Sequence, residues 1–78
     1  MVGYRGEALA AARKLLRTFA SAPEPRAQVN RIFSELAHAE GWTKAQEAEI
    51  ARFGAWLTDR PPLTELKQRS EQLLAKLN

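Results

Sequence analysis

Prolines at 23, 25, 61 and 62 and a glycine at 41 cut this 78-residue chain into four stretches, and each repeats its apolar side chains every three or four residues. That interval is the signature of an amphipathic helix; a half-buried strand alternates every second residue, and no such alternation occurs. Proline lacks an amide donor and clashes with the preceding turn, so it ends a helix or sits in a first turn. The expected fold is therefore all-α, a compact antiparallel four-helix bundle with helices at about 7–20, 25–40, 44–58 and 63–77. Such helices are roughly 20–25 Å long, and short connections between them favour antiparallel neighbours. The alternative is a three-helix bundle whose C-terminal helix is kept for binding a partner.

The individual stripes support this reading. Leu9, Ala12, Leu16 and Phe19, widened by Ala8 and Leu15, mark the first helix. Pro25 suits the start of the second, which carries Val29, Ile32, Leu36 and Ala39 beside Phe33 and is expected to end at Gly41. Thr43-Lys44-Ala45-Gln46 matches a capping box, in which the hydroxyl accepts from an orphan amide and the Gln side chain reaches back to the cap. The third helix should begin there, with Gln46, Ile50, Phe53 and Leu57 inward. It should stop near Thr58, because Pro61-Pro62 biases Arg60 and Pro61 toward extended backbone. Leu63, Leu66, Ser70, Leu73 and Leu77 form a heptad seam on the last helix with one polar residue at its middle, and a buried serine there either bonds a carbonyl one turn back or marks the register, as polar seam residues do in coiled coils. Gly54, inside the third stripe, suggests the close approach of a neighbouring backbone.

A 45% hydrophobic and 27% charged composition is too apolar for a disordered tail, and the length suits one core, so residues 1–78 read as a single helical domain. A domain this small buries only about 60–65% of its unfolded surface, which leaves a thin stability margin that a partner can supplement. There are no cysteines, which excludes disulfides, thiolate metal sites and a Cys nucleophile. The amino terminus has no apolar signal core and no run approaches the roughly 20 apolar residues of a membrane span, so the expected location is cytoplasmic. Arg outnumbers Lys and Ala is abundant, which fits a GC-rich bacterial or phage genome.

Reactive constellations are sparse. Glu35 and His38 have the Glu-x-x-His spacing of di-iron bundles, but His38 lies opposite the apolar stripe, so a metal site would need a dimer to bring two copies together. Ser21, Ser34 and Ser70 would have to share one His and one Asp, Asp59, for nucleophilic catalysis, and they read better as structural residues. The glycines at 3, 6, 41 and 54 are dispersed and make no phosphate loop.

Surfaces remain. Arg13, Lys14 and Arg17, with Arg5 just ahead, form a basic face on the first helix, while Lys67, Arg69 and Lys76 alternate with Glu65 and Glu71 as ordinary solubilising charge. A net charge of +3 assists encounters with anions without announcing nucleic-acid binding. Trp42 falls in a turn, where it can plug the end of the bundle, and Trp56 falls off the third stripe toward a flank; core packing is the expected role of each, with an interface anchor as the alternative. Tyr4 can dock on a core edge or on a partner.

The expectation is a non-enzymatic protein without a cofactor that binds a protein partner, as adaptor, assembly factor or inhibitor, through Arg13, Lys14 and Arg17 or through Trp56. The alternatives are a small nucleic-acid-binding protein using the first helix, and a metal-binding or accessory enzyme subunit assembled at a dimer interface. Homodimerisation is compatible with all three.

Overall fold

The computed structural model describes residues 4–77. It contains four helices, α1 (Arg5–Arg17), α2 (Pro25–Ala37), α3 (Lys44–Thr58) and α4 (Leu63–Leu77), with a single 3-10 turn, Phe19–Ser21, after α1. No strand occurs among the described residues, although one isolated bridge pairs Tyr4 with Glu40. The helices alternate in direction. Gln28, early in α2, bonds the carbonyl of Leu15, late in α1, and Gln46 at the start of α3 bonds the carbonyl of Leu77 at the end of α4. The body measures 30 × 22 × 21 Å, close to the length of a 15-residue helix in its short dimensions.

α2 and α4 form the central diagonal, since each packs against all three other helices. α1 packs most extensively on α2, which the small buried Ala8 and Ala12 permit, because interaxial distance follows side-chain size at the crossing. Val29, Ile32 and Leu36 of α2, Ile50 and Phe53 of α3, and Leu66, Leu73, Leu74 and Leu77 of α4 complete the core. α4 is thus a member of the bundle and not an arm held out for a partner. Its buried stripe differs from the expected heptad seam. Leu74 joins it, whereas Leu63 is 49% exposed at the end of the bundle. A helix touching three neighbours presents a broader face than a two-helix seam. Ser70 is fully buried and donates to the Leu66 carbonyl at 2.7 Å, so its hydroxyl is satisfied within its own helix.

α3 and α4 have the expected boundaries. The capping box is complete: Thr43 Oγ1 accepts from the Gln46 amide at 3.2 Å and Gln46 Oε1 accepts from the Thr43 amide at 2.9 Å. Gln46, expected in the core stripe, is only half-buried because its amide group serves this cap and donates to Leu77 O.

α1 and α2 stop three residues short of their expected ends, for one physical reason. Continuing α1 would require the Leu15 carbonyl to accept from Phe19; instead it accepts from the Thr18 hydroxyl at 3.2 Å and from Gln28 Nε2 at 2.9 Å, and Gln28 Nε2 also donates to Thr18 Oγ1 at 2.9 Å. Continuing α2 would require the Leu36 carbonyl to accept from Glu40; instead it accepts from Trp42 Nε1 at 2.9 Å and, in a tighter turn, from the Ala39 amide at 3.3 Å, and the Glu40 carbonyl accepts from the Arg5 amide at 2.8 Å. Gly41 follows with φ 95°, and the Tyr4 ring lies where its Cβ would be. Gly54 also departs from expectation. Its Cβ would stand 2.6 Å from the Phe33 ring, so the close neighbour is an aromatic side chain and not backbone.

The α3–α4 junction contains a second departure. Arg60 is not extended but has φ 53°, and its amide donates to the Leu57 carbonyl at 3.1 Å. This is a left-handed helix terminus, a place usually taken by Gly, and Pro61 after it has no amide to supply the second bond of the motif.

Candidate partner-binding groove

Packing α1 inward through Ala8 and Ala12 leaves Ala10, Arg13 and Arg17 in a row along the side that meets α4. α4 answers with Lys67 and Glu71, one turn apart and each next to a buried seam residue, Leu66 and Ser70. These residues, with half-buried Leu16 as an apolar floor, line an open groove of about 700 Å³. From Ala10 to Arg17 the row covers about 10 Å of helix axis, or two turns. Three cations and one carboxylate edge an apolar strip, so its electrostatic character is positive.

The structure separates the four residues singled out from sequence. Arg13 and Arg17 share the groove. Lys14 is exposed on α1 but does not line it, since a residue next to Arg13 is rotated by about 100° around the helix. Trp56 lies elsewhere, on the α3–α4 seam. Its half-buried ring packs on Phe53 at 5.5 Å between centroids, and the Arg69 guanidinium stands 4.7 Å above its centroid. A cation held over an indole contributes about 0.5–1 kcal/mol at an exposed site, and here it joins α4 to α3. Nearby Glu49 reinforces the same seam, accepting from Arg52 at 2.7 Å and from Lys76 of α4 at 3.3 Å. Lys76, with Arg52 behind it, holds the Glu49 carboxyl below the ordinary carboxylate range.

No family model, curated protein or solved structure matches this chain.

The other candidates are resolved by geometry. Trp42 is half-buried and its indole N–H is committed to Leu36, so it caps α2 and lines an apolar cleft of about 280 Å³ with Phe33, Ile50 and Ala51. Glu35 and His38 are both exposed. His38 Nδ1 lies 2.7 Å from the Ser34 carbonyl, which can only accept, so this contact requires the proton on Nδ1. Among the described residues, no three His, Cys, Asp or Glu side chains are grouped to hold a metal ion. No described helix is long and apolar enough to cross a membrane.

Lys67 and Glu71 are the groove residues that sequence reasoning passed over as solubilising charge. Their signal is positional. Each follows a seam residue, and that flank becomes a wall only when α1 is known to lie beside α4.

Proposed function

We propose that this chain is a non-enzymatic binding protein whose α1–α4 groove receives an acidic amphipathic helix of a protein partner. The observation that carries the reading is the charge asymmetry of the groove: Arg13, Arg17 and Lys67 against Glu71, around a floor of Ala10 and Leu16. Helix-in-groove recognition places apolar anchors at spacings of three and four on such a floor, and flanking carboxylates would meet the cations. The groove lining is three cations, one carboxylate and an apolar strip, with no hydroxyl, imidazole or thiol, a composition that fits recognition of an acidic surface. Rim charges of this kind mainly set association rate and partner choice.

The test is a backbone-amide NMR titration of the 15N-labelled protein with a three-turn designed peptide carrying Leu at i, i+4 and i+7 and Glu on both flanks. The expected result is saturable shifts at residues 10–17 and 67–71 that weaken at least tenfold in the double variant Arg17→Glu, Lys67→Glu. No saturation, or equal binding of a Lys-flanked peptide, overturns the reading. So does tighter binding of duplex DNA or RNA with steep salt dependence, which would make the cations phosphate contacts.

A further inference from the structure

Away from the groove and the Trp42 cleft, at the end of the bundle where α2 begins and α3 ends, lies a smaller cavity of about 240 Å³ lined by Arg26, Asn30, Leu57, Arg60 and Leu66. Its composition is one-sided. Two guanidinium groups and one carboxamide stand at the rim, Leu57 and Leu66 are apolar, and no carboxylate lines it. Neither Arg26 nor Arg60 makes an ion pair with a described residue.

Both arginines occupy positions that local energetics disfavour. Arg26 is in the first turn of α2, where the helix dipole opposes a cation. Arg60 has left-handed backbone, φ 53°, immediately before a proline, where side-chain-bearing residues are held toward extended conformations. A Gly at 60 would close the same turn without that conflict. Departures from local preference concentrate where a chain serves something beyond its own stability, and these two converge on one cavity.

We infer that Arg26, Asn30 and Arg60 form a binding site for a small phosphate monoester with an apolar organic group. Guanidinium forks match phosphate oxygens in pairs, and two of them balance a group that carries about −1.5 to −2 at neutral pH. The Asn30 amide can supply a further donor, and half-buried Leu57, backed by the core residue Leu66, offers apolar contact to the organic part. The volume is below the roughly 300–1,000 Å³ of pockets for drug-sized ligands, which limits the ligand to a single ring or a short chain.

The site is tested by titrating the labelled protein with phenyl phosphate, inorganic phosphate and benzoate at pH 7.5, together with Arg60→Gly and Arg26→Ala. Phenyl phosphate is expected to give saturable shifts confined to residues 26–30, 57–60 and 66, with affinity at least tenfold above both inorganic phosphate and benzoate. Arg60→Gly should raise Tm while weakening phenyl phosphate at least tenfold, a combination that loss of folding cannot produce. Arg26→Ala should weaken it by a similar factor with the helical CD spectrum retained. Absence of saturation by phenyl phosphate, or unchanged affinity in either folded variant, overturns the site. Equal affinity for benzoate overturns the phosphate assignment.

Discussion

α3 begins and ends on chemistry written within a few residues of each terminus, whereas α1 and α2 stop where a side chain beyond the helix, Gln28 or Trp42, joins the donors to one of their last carbonyls. At Thr43 the cap and its reciprocal partner are three residues apart, so the bond forms from local geometry alone. At Leu15 that donor is Gln28, thirteen residues on, and at Leu36 it is Trp42, beyond the end of the helix. A locally capped end is defined before the bundle assembles. A tertiary cap exists only once two helices are docked, so its loss should be felt in packing as well as in helix length.

The strongest challenge to this distinction is at Trp42. Trp42→Ala removes the donor to Leu36 and one wall of the α2–α3 cleft, and is expected to cost about 2–3 kcal/mol in denaturant unfolding, below the range for a fully buried Trp because the ring is half-buried. Trp42→Phe keeps most of the ring and should lose only about 1 kcal/mol. If both variants lose the same amount, the ring's packing contributes nothing and the indole bond accounts for the whole effect.

A paired comparison at the next scale separates the two kinds of helix end. Thr43→Ala and Gln28→Ala should each cost about 1 kcal/mol, the usual value of a cap or a net hydrogen bond. Their amide shifts should differ: Thr43→Ala frays the first turn of α3, while Gln28→Ala leaves the Leu15 carbonyl only the Thr18 hydroxyl, which the Phe19 amide can displace as α1 continues toward Ala20. Fraying of α1 in Gln28→Ala would contradict the account of why that helix stops.

The smallest effect concerns Glu49 on the C-terminal half. Because Lys76 and Arg52 lower its carboxyl pKa in the folded protein, the pair stabilises the fold fully above the ordinary value of 4.5 and loses that contribution as pH falls below 4.5 through the lowered folded value. Thermal unfolding of Glu49→Gln should therefore be less sensitive to pH in that acid window than the parent protein. The two curves should converge at the acid end, and parallel curves would falsify this role.

The legible part of the molecule follows the same division. Four helices, the inward Val29, Ile32, Leu36, Ile50 and Phe53, and the buried Ser70 all follow from spacing, because a helix repeats its faces regardless of what it packs on. Arg13 and Arg17 were visible as an exposed basic row. Lys67, their counterpart across the groove, was not, since nothing in α4 alone distinguishes a wall from a solvated flank. Arg26, Asn30 and Arg60 were likewise illegible as a set, coming from two helices and a left-handed turn that a following proline argues against.

What the sequence by itself determined is therefore the number of helices, the start of α3, its stop before the proline pair, and the inward faces of α2 and α3. These depend on backbone hydrogen bonding and apolar periodicity, both confined to a few neighbouring residues. Only the tertiary structure decided where α1 and α2 end, that Phe33 occupies the space over Gly54, that Arg69 covers Trp56, and which charges face one another across the groove and the smaller cavity. Apart from the Trp42 and Thr18 bonds, which span six and three residues, these depend on the distance between residues far apart in the chain, and packing of the four apolar faces sets that distance.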